Sequence, residues 1–168
     1  MTLKKKLLIA ALVCAGLEMP AAAATATTTF QVQMTITKSC SVSATTLNFG
    51  SALSGALNVT DSTAGTVTVT CSKNTPYTVG LAPSAANGGT VNGTGSMSGT
   101  GGNTDKVPYN LYSNAARTSV WGDTPGTNTI AGSGTGSAQA ALPVYGLVPS
   151  ANYTPDTYAD TVTVNVVY

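Results

Sequence analysis

Phe30-Gln31-Val32-Gln33-Met34-Thr35-Ile36-Thr37 places an apolar residue on every second position near the start of the chain. Val162-Thr163-Val164-Asn165-Val166-Val167-Tyr168 repeats the pattern at the other end. A period of two belongs to a β-strand with one dry face and one wet face. The last stripe is still apolar when it reaches Tyr168, so its edge is expected to want a partner strand. The first stripe stands ahead of the body, where a neighbouring copy would use it to fill such an edge. The expectation is an all-β building block that assembles with copies of itself.

The segment before that stripe has the layout of a secretory leader. Lys4, Lys5 and Lys6 make a positive start, residues 7–16 are mostly apolar, and Pro20 precedes the alanines 21–24. This predicts a signal peptide over 1–24, with cleavage after Ala24. The apolar run is shorter than the ~20 residues a spanning helix needs. Cys14 follows Val13, too large for the small-residue position of a lipoprotein signal, so Cys14 is expected to leave with the leader. An exported protein follows.

Export changes the charge balance. Lys4, Lys5, Lys6 and Glu18 together carry +2, which turns the net +1 of the full chain into −1 for residues 25–168. The remaining cations, Lys38, Lys73, Lys106 and Arg117, are scattered. Nucleic acid needs clustered Lys and Arg, so no nucleic-acid partner is expected, nor an anionic membrane surface. Residues 25–168 suffice for one domain with a sizeable core. Two cysteines remain, Cys40 and Cys71, and in an exported chain they most simply form one disulfide. Closing that loop is worth roughly 3–4 kcal/mol on the chain-entropy account.

Strands are expected at 29–37, 40–49, 66–72, 77–82, 107–113, 119–122, 138–148 and 158–168, and essentially no helix. Short strands separated by Gly, Asn and Pro describe a β-sandwich. Asn87-Gly88 and Asn92-Gly93 carry turn chemistry, and Pro108 and Pro143 suggest edges or bulges. The glycine-rich stretches 87–103 and 132–136 lack the Gly-Lys-Ser/Thr ending of a phosphate cradle and are expected to be flexible loops.

Catalytic chemistry finds little footing. The chain has no histidine, which excludes a Ser-His-Asp set and histidine-based zinc sites. The acids left after export are Asp61, Asp105, Asp123, Asp156 and Asp160. Asp156 and Asp160 are spaced for a carboxylate pair. The plainer expectation puts Asp156 in a turn and has Asp160 bonding backbone at the start of the last strand. No loop has the oxygen density of a calcium site. Asn58-Val59-Thr60 and Asn152-Tyr153-Thr154 match the glycosylation acceptor pattern, which is too common to carry weight. Trp121 with Tyr109 and Tyr112 offers either a sugar platform or core packing. Tyr158 suits either a surface contact or a corner-type packing residue. No enzyme activity and no cofactor or metal are expected.

Several phrases together resemble the spore coat protein U domain family, which includes the major pilins of archaic chaperone–usher (Csu-type) pili. They are Cys40-Ser41-Val42, Leu47-Asn48-Phe49-Gly50, Val67-Thr68-Val69-Thr70-Cys71 and Val107-Pro108-Tyr109-Asn110-Leu111-Tyr112 with Ala116-Arg117-Thr118. Leu142-Pro143-Val144-Tyr145-Gly146 and Tyr158-Ala159-Asp160-Thr161-Val162-Thr163-Val164 complete the set. Asp156 departs from the pattern, standing where a glycine is expected.

The resemblance implies an incomplete immunoglobulin-like sandwich, residues 40–168, completed by donor-strand exchange, behind an N-terminal extension at 25–39. It implies a periplasmic chaperone, an outer-membrane usher and other pilus subunits, including a tip adhesin, as partners. Phe30, Val32, Met34 and Ile36 would be the donated side chains. Val162, Val164, Val166 and Tyr168 would line the acceptor groove, with the Tyr168 carboxylate as the chaperone's anchor. The place of action would be the cell surface, in attachment and biofilm formation. Two alternatives stay open: residues 30–36 as the domain's own first strand, and a secreted coat or matrix protein, or adhesin-type binding module, of the same fold.

Overall fold

The computed structural model describes residues 22–137 and 141–168. The expected leader therefore lies outside the described residues except for 22–24, and so does the start of the strand expected at 138–148. The chain falls into two units, Met1–Thr35 and Ile36–Tyr168. In the first, residues 22–35 form neither helix nor strand and are exposed. The strand expected at 29–37 is thus not formed. Alternation by itself does not make a strand, because the backbone donors and acceptors must also be taken up by a neighbour.

In the second unit the alternating stretches do become strands. They are β1 (Cys40–Thr45), β2 (Leu57–Thr60), β3 (Gly65–Cys71), β4 (Pro76–Pro83) and β5 (Thr94–Gly99). β6 (Lys106–Tyr112), β7 (Ile130–Ser133), β8 (Leu142–Ser150), β9 (Tyr158–Ala159) and β10 (Val162–Val167) follow. One sheet runs β1-β3-β8-β6-β5-β9, with β2 added against β8, and the other runs β10-β4-β7. All pairings are antiparallel. Helix is confined, among the described residues, to a 3-10 turn at Ala85–Asn87.

The register follows from which face is apolar. In β3 every second residue is buried, and Val67, Val69 and Cys71 point inward. Val79 and Leu81 of β4 face them from the other sheet, with Tyr109 and Leu111 of β6 and Val148 of β8 extending the layer. A slip of one residue would turn all of these to water. Trp121 fills the middle, fully buried, and its indole N–H donates to the Val79 carbonyl at 3.0 Å. That burial, with Tyr109 also buried, places these two aromatics in the core, while Tyr112 is half-buried outside it. The Cys40–Cys71 disulfide joins directly paired positions of β1 and β3.

Three strands were hidden in the sequence. β2 is only four residues long, and β5 and β7 fall in or beside the glycine-rich stretches expected to be loops. One glycine in each of β5 and β7 is covered by an aromatic ring from the adjacent strand. A Cβ on Gly95 would sit 2.5 Å from the Tyr109 ring, and one on Gly132 would sit 2.4 Å from that of Tyr77. The neighbour supplies the apolar cover that the strand's own side chains lack. The turns at Asn87-Gly88 and Asn92-Gly93 are as expected, with φ of +82° and +75° at the glycines. The strand expected at 119–122 shrinks to a single bridge between Tyr112 and Val120. Pro108 and Pro143 each sit where their strand has one neighbour, opposite Ser96 and Thr66.

The result is an immunoglobulin-like sandwich with one open side. Among the described residues β1 pairs only with β3, and β10 only with β4. These two edge strands belong to different sheets, and the gap lies between them.

Candidate functional site

One lip of the gap is β10 and the chain leading into it. Val162, Val164 and Val166 are half-buried against the core, while the backbone edge of β10 away from β4 has no strand partner among the described residues. The other lip is the end of β1 and its continuation through Leu47 and Phe49. The Asn48 N–H and carbonyl bond the Thr63 carbonyl and N–H, both at 3.0 Å. The Asn48 side chain also accepts from Gly50 N–H at 2.8 Å, and Gly50 turns the chain at φ +71°. With Asn48 pinned outward, the alternation turns Leu47 and Phe49 inward. Phe49 lies over Gly146, where a Cβ would come within 2.5 Å of its ring, and 6.5 Å from the Tyr109 ring.

Between the lips is a cavity of about 530 Å³ floored by Val67, Leu81, Tyr109 and Leu111. A second cavity of about 420 Å³ continues past it toward Val59, Val148 and Tyr153. The two share walls at Leu47, Phe49, Met97 and Tyr158. A trough with an apolar floor at Val67, Leu81, Tyr109 and Leu111, bordered by an unpaired strand edge, can take up an extended apolar peptide by side-chain burial and backbone pairing together.

Among the described residues no buried side-chain polar atom lacks a hydrogen-bond partner. Asp160 was expected to bond backbone; instead its carboxylate accepts from two side chains. The Tyr109 hydroxyl donates to Oδ2 at 2.6 Å and the Asn87 amide to Oδ1 at 2.8 Å. Ser98 Oγ donates in turn to Asn87 Oδ1 at 2.7 Å. Burial, and next the bond to and charge of Asp160, push the Tyr109 phenol far above its ordinary range. Asp156 accepts from Gly101 N–H at 2.9 Å and from the Asn103 amide, tying the 100–103 loop to the approach to β9. Tyr158 takes the corner role: its hydroxyl donates to the Thr154 carbonyl, four residues upstream, at 2.6 Å.

The residues proposed from sequence fall as follows. Phe30, Val32, Met34 and Ile36 are 80–87% exposed. Val162 and Val164 line the larger cavity. Val166 packs against the core beyond the two cavities, and Tyr168 is exposed just past β10. The trough is therefore centred on the start of β10 and the residues before it. Leu47, Phe49, Met97 and Tyr158 are walls that the β10 stripe did not point to. Leu47 and Phe49 carried a signal, since they alternate, whereas Met97 lay in the stretch taken for loop.

Fold and groove together define an immunoglobulin-like domain with an open groove beside an unpaired strand edge. The Spore Coat Protein U domain matches residues 26–165, and the chain belongs to that family. No curated protein matches the chain. Among solved structures it is similar to a chain of the CsuC-CsuE chaperone-tip adhesion subunit pre-assembly complex from archaic chaperone-usher Csu pili of Acinetobacter baumannii. Identity is 24% and the TM-score 0.52, over 80% of this chain and 40% of that one. The present chain thus spans less than half of that neighbour, and the likeness is one of fold.

Proposed function

We propose that the protein is a structural subunit of a cell-surface pilus of the archaic chaperone–usher type. Residues 30–36 of one copy enter the trough of the next and pair with β10. The observation that carries this reading is the coexistence of two complementary features. The domain has an apolar trough with an unpaired strand edge, and the same chain bears four alternating apolar side chains exposed to water. Burying Phe30, Val32, Met34 and Ile36 contributes on the order of 1.5–3 kcal/mol each before ordering entropy. The contact joins unlike surfaces, so it propagates as a filament rather than closing on itself. Separation requires opening a completed sandwich, which makes the fibre kinetically durable. No nucleotide is needed, because completing the fold supplies the free energy.

In this reading the leader at 1–24 directs export to the periplasm. There a chaperone occupies the trough, with Tyr168 as its anchor, and an outer-membrane usher exchanges it for the next subunit. Family membership and the shared fold support these partners, and a tip adhesin at the fibre end. Attachment and biofilm formation would follow from the fibre.

The test is to express the exported chain with and without residues 25–37 and run unboiled samples on a denaturing gel. A ladder that collapses on boiling, and is absent from the shortened form, is the expected result. Equally stable monomers from both forms would overturn the reading.

A further inference from the structure

The chain crosses from one sheet to the other at Asp160 and Thr161. β9, just before them, pairs with β5 in the first sheet, and β10, just after, pairs with β4 in the second. This crossing is one lip of the trough. An empty apolar trough favours collapse, since moving the lip inward would take apolar surface out of water. What opposes that movement is a half-buried carboxylate fixed both to Tyr109 on the floor of the trough and to Asn87, which lies off its lining. Asp160 is bonded to Tyr109 on β6 and Asn87 on the 3-10 turn, and Asn87 is held by Ser98 on β5. Drawing the lip away from Tyr109 and Asn87 would break two hydrogen bonds and leave the buried Tyr109 hydroxyl without its acceptor.

We infer that Asp160, held by Tyr109 and Asn87, is a positioning residue that keeps the sheet-crossing lip apart and the start of β10 extended for the incoming strand. This rests on the proposed function, since it names the device that keeps that same groove receptive. The role is geometric, so the shape of the network matters and the charge itself does not. Asp160→Asn retains an acceptor for the Tyr109 hydroxyl. A flip of the Asn87 amide, with the Ser98 hydroxyl then accepting, restores the remaining bonds.

The experiment measures uptake of a fluorescent peptide of residues 29–37, in excess, by the full exported chain with its disulfide intact, carrying Val32→Asp throughout so that its own strand does not fill a neighbour's trough. Asp160→Ala is expected to slow uptake roughly tenfold or more, with Tyr109→Phe slowed severalfold, while Asp160→Asn stays within about threefold of the Val32→Asp parent. Near-ultraviolet circular dichroism and thermal melting accompany each variant. A purely structural role would lower the melting temperature and leave uptake by folded molecules unchanged, which overturns the inference. Asp160→Asn as slow as Asp160→Ala overturns it too, because charge would then be the cause. If Asp160→Ala does not fold, Tyr109→Phe, which loses only a hydroxyl, decides by the same criterion. Failure of the Val32→Asp parent to take up the peptide would overturn both this inference and the pilus reading. Normal uptake by every variant would remove this inference alone.

Discussion

Arg117 adopts φ +54° and spans three segments. It pairs with Asp61 at 2.6 Å, donates from Nε to the Gly146 carbonyl at 2.8 Å, and lies 6.0 Å from the Tyr145 ring centre. Asp61 also accepts from Gly146 N–H at 2.8 Å. Arg117→Ala would leave that carboxylate, 6% exposed, without its cation, and is expected to cost about 2–4 kcal/mol in urea unfolding. Tyr109 gives a pH signature. Its phenol is held above the ordinary value of 10.0, so the folded state keeps the proton more tightly than the unfolded chain. Stability from this group is complete below 10.0 and is lost as pH rises from there toward the folded value. Unfolding free energies between pH 9 and 11.5 are expected to fall with pH, and Tyr109→Phe should flatten that slope. An unchanged slope would mean the phenol is not protected.

At the scale of elements, the instructive case is β5. Thr94-Gly95-Ser96-Met97-Ser98-Gly99 has little strand propensity, yet it pairs with β6 on one side and β9 on the other. Its strand state is imposed by neighbours, with the Tyr109 ring and Pro83 lying against Gly95. Gly95→Val, which raises intrinsic strand propensity, should therefore destabilise by roughly 2–3 kcal/mol through overpacking. A stabilised variant would show that propensity governs this strand. The stretch 30–36 is the converse. It has the propensity and the alternation, but no neighbour takes up its backbone, and it forms no strand.

For the whole molecule, stability and assembly should separate. Val32 is 86% exposed, so Val32→Asp is expected to leave the melting of the monomer unchanged within about 0.5 kcal/mol. The same change should abolish the multimer ladder, because a carboxylate would have to enter an apolar trough unpaired. Loss of monomer stability together with the ladder would instead place Val32 in its own domain's core. Mixing Val32→Asp with the unaltered chain should yield shortened multimers, since such a subunit accepts a strand but does not donate one.

The sequence by itself determined which residues share a face, which cysteines pair and which family the chain belongs to. Period two in residues 66–71, 107–112 and 162–167 marks which face of each segment is buried once a neighbour pairs with it, because a strand's side chains alternate whatever surrounds it. The lone pair Cys40 and Cys71 pointed to the bridge that is present, and the combined phrases pointed to the family. Tertiary structure decided what depends on neighbours. It made strands of glycine-rich β5 and β7 by laying Tyr109 and Tyr77 over them. It left the apolar stripe at 30–36 unpaired, and it brought Asp160, Tyr109 and Asn87 together from positions far apart in the chain. It also set the trough at the start of β10, between Leu47–Phe49 and Tyr158–Val164, where the two sheets diverge. The physical reason is that backbone pairing and cavity shape are properties of pairs of segments, and a linear pattern specifies each segment alone.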